Sequence, residues 1–163
     1  MNLLSVIPDN ISEVLVKIIR FTQQRRRVLQ QNIDNIHTSE YIPEDLPVSE
    51  FADVLNAAIA EHLQNRRLLF QDSAHISFGT DSTMRIRTVV DEHAKAMLGT
   101  KRDAYMELQI KKLLENSLNR RVAEELLKYH AGIEGALQQC DLDVVSAGNQ
   151  TLDTTPPNDL AGN

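Results

Sequence analysis

The chain has 163 residues, 17 Lys and Arg against 23 Asp and Glu for a net charge of -6, and only four Phe, three Tyr and no Trp. That size supports one domain with a modest core, and so few aromatics suit long helices packed side by side rather than a thick globular centre. The negative balance disfavours nucleic acid or an anionic membrane as partner, and the single cysteine, Cys140, allows no intrachain disulfide and reads as an incidental thiol.

Residues 1–10 have no cationic start and too short an apolar run for a secretory signal, and no stretch reaches the length of a membrane span. Synthesis in the cytoplasm without a cleaved signal is expected. Asp9 or Asn10 is placed to cap a first helix over about 9–36. Ile11, Leu15, Ile18, Thr22, Leu29, Ile33 and Ile36 mark one face of it. The stripe is interrupted after Thr22, where Arg25-Arg26-Arg27 sits. Three successive helical residues span about 200° of the circumference, so these arginines read as contacts to an acidic partner surface. A second basic pair, Arg66-Arg67, reads as a solvated helix face, and a third is Arg120-Arg121.

Residues 38–49 read as a linker, because Pro43 and Pro47 disfavour helix at the residue before each. Its surroundings are acidic, with Glu40, Glu44, Asp45, Glu50 and Asp53. Ser49 is placed to cap a second helix that carries Phe51, Val54, Leu55, Ala58 and His62 on one face. Residues 71–83 have the composition of a loop. Residues 84–90 fit a short helix or an alternating strand equally well, and Gly99 ends the segment.

The strongest periodicity lies over about 103–137. Ile110, Leu114, Leu118, Val122, Leu126, Tyr129, Ile133 and Leu137 form a continuous apolar seam on a predicted helix roughly 50 Å long. So narrow a stripe stabilises a helix only against a partner. The first helix is the expected one, with neighbouring chains as further candidates. Residues 140–163 are poor in large apolar side chains and are expected to be a disordered tail. The fold class expected is mainly α: a helical domain over 1–139 whose long end helices pair as a coiled coil around a variable middle at 38–100.

No catalytic constellation emerges. The five histidines (His37, His62, His75, His93, His130) do not pair at metal spacing, and there is no Cys-x-x-Cys, phosphate-cradling glycine loop or Gly-x-Ser-x-Gly elbow. Carboxylates are scattered, so no acid/base pair stands out. No enzyme activity, cofactor or metal is expected.

The most informative segment is 29–41, Leu-Gln-Gln-Asn-Ile-Asp-Asn-Ile-His-Thr-Ser-Glu-Tyr. Asn32, Asn35, Thr38 and Tyr41 recur every three residues. Asn and Thr compete for nearby backbone groups, so such a run describes a fixed way of leaving a helix. Leu29, Asn32, Ile33, Asn35, Thr38 and Tyr41 fall in register with a pattern that resembles the flagellar axial protein family, the rod and hook subunits, close to Leu-Ala-Asn-Asn-Ile-Ala-Asn-x-x-Thr-Pro-Gly-Tyr. Gln31 stands for the first Asn, Gln30 and Asp34 replace alanines, and Ser39-Glu40 replaces Pro-Gly. A second segment, Gly99, Asp103 and Glu107, is similar to the opening of that family's C-terminal helix.

The resemblance covers both ends of the chain and implies a structural subunit of the flagellar basal-body rod. Such subunits pair their terminal helices as a coiled coil and self-associate into a tube. The implied partners are other rod subunits, the basal-body base and the flagellar type III export apparatus. The implied location is the rod that crosses the periplasm. The rival expectation is a cytoplasmic helical regulator or export chaperone that binds partners through the same amphipathic faces.

Overall fold

A computed structural model of the protein describes residues 6–79 and 83–148, with side-chain surroundings placed for 10–79, 83–133 and 135. It is mainly helical. Among the described residues there are four helices, α1 (Val6–Asp34), α2 (Val48–Asn65), α3 (Glu92–Thr100) and α4 (Arg102–Gly148), and four short strands. The strands are β1 (Glu44–Asp45), β2 (Ile76–Phe78), β3 (Met84–Ile86) and β4 (Val89–Val90). The chain divides into two compact units, Met1–Leu127 and Lys128–Asn163. The second consists, among the described residues, of the continuation of α4.

The core forms where α1, the linker, α2 and the β2–β3 ladder meet. Phe21, Val28, Leu46, Phe51 and Ile76 are buried together, with Ile18, Leu55, Phe78, Met84 and Ile86 packed around them. Phe21 and Phe51 stack with ring centroids 4.0 Å apart, fastening α2 to α1. Lys17 is buried in the same stripe, its ammonium 5.5 Å and 5.6 Å from the ring centroids of Phe70 and Phe78. Burial pushes its pKa down, with Glu13 opposing and Arg20 adding to the shift.

The middle is built from pairings that local sequence left open. β2 pairs antiparallel with β3, with Ile76 opposite Ile86 and Phe78 opposite Met84. β1 pairs antiparallel with β4, with Glu44 opposite Val90 and Asp45 opposite Val89. The alternation at 84–90 is therefore strand, interrupted at Arg87 and Thr88. Glu50 in the first turn of α2 ties down the segment before β2. It accepts from Ser73 Oγ at 2.5 Å and His75 N at 2.7 Å, and its other oxygen lies 2.8 Å from His75 Nδ1. The Ser73 hydroxyl, with the His75 backbone and ring, holds the Glu50 carboxyl down to about 2.

Several expectations are corrected. α2 starts at Val48 on the Pro47 carbonyl, which accepts from Phe51 N at 3.0 Å, so Ser49 is inside the helix and not its cap. Asp91 instead supplies a side-chain cap, accepting from Ala94 N at the start of α3. α4 runs to Gly148, so residues 140–148 are helical and not part of a tail, while 149–163 lie outside the described residues. No helix among the described residues is long and apolar enough to cross a membrane.

The largest correction concerns how the long helices meet. The seam of α4 does not pack on α1. Leu114 and Leu118 are 68% and 62% exposed, and Ile110, Val122 and Leu126 are also exposed. In the second unit Tyr129 and Ile133 are exposed too, and the Leu137 side chain lies outside the described residues. α4 turns its other face to α1: Tyr105, Gln109, Asn116 and Ala123 are buried. Asn116 donates to Thr22 O at 2.7 Å and Tyr105 donates to Asn32 O at 2.9 Å, so the helices run antiparallel, joined by polar bridges. Satisfied buried hydrogen bonds fix register as a greasy stripe does not, and the apolar row is left facing outward.

Candidate functional site

The segment that carries the family resemblance is a bonded exit from α1. Leu29 is fully buried and anchors the last turns. Asn32, 0% exposed, is the hub. Its Nδ2 donates to Glu44 O at 2.8 Å and to Gln109 Oε1 at 3.0 Å. Its Oδ1 accepts from Tyr41 OH at 2.9 Å and from Glu44 N at 3.2 Å. One side chain thus uses its full amide repertoire to join the end of α1, the start of β1 and α4.

The next residues shape the turn. Asn35 Nδ2 donates back to Gln31 O at 2.9 Å, and Thr38 Oγ1 donates to Asn35 Oδ1 at 3.0 Å. Ile33 is half-buried. Burial pushes the Tyr105 phenol up to about 12, helped by Tyr41 and Asp91, and raises Tyr41, helped by Glu44. Tyr41 donates to the Asn32 side chain and Tyr105 to its backbone oxygen. Asn32, Asn35, Thr38 and Tyr41 turn the chain back at the end of α1, with Asn32 buried and Thr38 at the surface.

Glu40 sits at φ 58, in the left-handed region, at the position where the resembling pattern has glycine. A side chain there costs about 1 kcal/mol or more relative to glycine. Glu40→Gly is expected to stabilise the protein by about 1 kcal/mol, read as a raised midpoint in urea denaturation. A lowered midpoint would show that the Glu40 side chain contributes more than its strain.

Behind the hub lies a charge clamp that sequence reasoning missed. Arg25 makes a bidentate pair with Asp45, Nε to Oδ1 at 2.8 Å and Nη2 to Oδ2 at 3.0 Å. Lys112 of α4 reaches Asp45 Oδ2 at 2.9 Å and also bonds Asp91, the cap of α3. Burial alone would push the Asp45 carboxyl up, but Arg25 and Lys112 outweigh it and hold it below its usual value. The clamp joins α1, β1, α3 and α4. Arg25 is therefore an internal strut, which corrects the expectation of an outward contact for that residue.

Arg26 and Arg27 remain at the surface. With Gln23, Gln30, Gln31 and Arg120 they line a groove of about 580 Å³ between α1 and α4. Arg120 is paired with Glu124 at 2.7 Å. A second groove, about 340 Å³, is apolar and lies between α1 and α2, lined among others by Ile11, Val14, Ile59 and Leu63. No group of His, Cys, Asp or Glu that could hold a metal is present among the described residues.

The described residues offer surfaces: an outward apolar row on α4, a basic groove between α1 and α4 and an apolar groove at α1–α2. The signal that could have found the clamp was a second stripe on α4. Gln109, Lys112, Asn116 and Ala123 recur at helical spacing opposite the seam, and polarity disguised them as a solvated face. Neither a protein-family model, nor a curated protein, nor a solved structure matches the chain.

Proposed function

We propose that the chain is a structural subunit of the bacterial flagellar basal-body rod, of the proximal rod type. Its work is mechanical: helix packing against other rod subunits and the basal-body base transmits torque toward the hook. It would reach the rod through the flagellar type III apparatus. The observation that carries this is the joint role of Leu29, Asn32, Asn35, Thr38 and Tyr41. The residues that resemble the rod family's pattern are those that close the exit of α1. The outward row from Ile110 to Leu126 supports it, since a subunit built to stack needs an uncovered apolar face. The same row would serve the rival reading, a cytoplasmic helical regulator or export chaperone.

Deletion of the chain is expected to abolish swimming and leave basal bodies without a completed rod, seen by electron microscopy. Complementation with Leu118→Asp separates folding from assembly. Leu118 is exposed within the subunit, so the variant's monomer should keep its folding stability to within about 0.5 kcal/mol. It should be exported yet fail to restore rods, while Arg67→Asp restores them. A deletion strain that swims normally sinks the assignment.

A further inference from the structure

The outward row on α4 has a charge pattern that selects its partner. Ile110, Leu114, Leu118, Val122 and Leu126 are spaced by four residues, so the row winds slowly, about 40° per step, with Leu118 at its centre. Lys111 and Glu125 stand seven residues before and after Leu118. Seven residues are nearly two turns, so both lie within about 20° of the direction of Leu118, one above it and one below. Both are exposed. The face is therefore a leucine centre with a cation two turns to one side and an anion two turns to the other.

We infer that this face binds a second copy of the chain as an antiparallel α4–α4 pair, with a two-fold axis at Leu118. In that pairing Leu118 meets its own copy, flanked by Leu114 and Val122 of both chains. Each Lys111 faces a Glu125, twice over by symmetry. A parallel pairing in register sets Lys111 against Lys111 and Glu125 against Glu125. Sliding the antiparallel pair by one turn either way breaks both ion pairs. It brings Glu125 to the level of Glu107 in one direction and of Glu115 in the other. Apolar contacts alone tolerate all these arrangements; the charges favour one.

Such a contact is isologous and closes on itself. It covers the row without growing a filament. The inference goes beyond the rod assignment and does not depend on it.

Cross-linking of the purified full chain tests it, with Cys140→Ser as background. In the antiparallel pair, cysteines introduced by Leu118→Cys meet at the axis and oxidise to a covalent dimer. Those from Leu126→Cys are separated along the helix by about 24 Å and do not. Both cross-linking equally would mean a parallel pair, and neither would mean no such contact; either overturns the inference. Sedimentation of the uncross-linked chain gives a second readout. Lys111→Glu should weaken the dimer roughly tenfold or more, and adding Glu125→Lys should restore it. A double variant no tighter than the single one would also overturn it. These readouts are independent of swimming, so either conclusion can fail alone.

Discussion

Asp45→Asn is expected to lose about 3–5 kcal/mol of folding stability, because it leaves the buried Arg25 guanidinium without its counter-charge. The Arg25 and Asp45 side chains are only 7% and 9% exposed, so water cannot replace the missing partner. Lys112 keeps its bond to Asp91, which confines most of the loss to Arg25. Chemical denaturation measures it. Replacing both partners with apolar groups, Arg25→Met with Asp45→Leu, should lose clearly less than Asp45→Asn alone. If the double variant is the worse of the two, the clamp contributes attraction beyond what it costs to bury.

The pH dependence carries the same sign. The folded Asp45 carboxyl is held below its ordinary value of 3.8, so the clamp's contribution is fully present above about pH 4 and lost as pH falls through the folded value. Glu50, held near 2 against an ordinary 4.5, behaves the same way over that interval. Wild type should therefore lose stability steeply in acid, and Asp45→Asn less steeply. Parallel curves for the two proteins would contradict the assignment.

Asn32→Ala should cost about 3 kcal/mol or more. It removes the donor to Glu44 O and Gln109 Oε1 and the acceptor for Tyr41 OH and Glu44 N. Buried groups left unpaired cost about 1–3 kcal/mol each. Gln109 already keeps one buried amide nitrogen, Nε2, without a partner among the described residues, and the substitution would orphan its oxygen too. Hydrogen exchange should rise over residues 35–45 before it rises in the middle of α1, because the exit is what the side chain holds. Asn32→Asp should be worse still, since it loses both donors and buries a charge. A loss under 1 kcal/mol for Asn32→Ala would mean the exit is held by backbone geometry.

Local sequence determined a good deal. The mainly helical class, the existence of α1, α2 and α4, the inward face of α2 at Phe51 and Ala58, and the exit at 32–41 were all legible. Each depends on periodicity or on side chains bonding within a few residues. The seam on α4 was legible as well, but its direction was not. Periodicity finds a face without saying what covers it, and the common expectation that apolar faces point inward failed here.

Only the tertiary structure could decide that α4 meets α1 through Asn116, Gln109 and Tyr105, because those bonds join residues far apart in the chain. The same holds for Arg25, Asp45, Lys112 and Asp91, four ordinary surface charges in sequence that become a buried clamp only when four elements converge. The short strands were only partly legible: the alternation at 84–90 left helix and strand both open, while β1 and β2 lay in segments read as linker and loop. Two or three residues carry too little pattern to announce a strand, and their pairing is settled by the partner that closes each ladder.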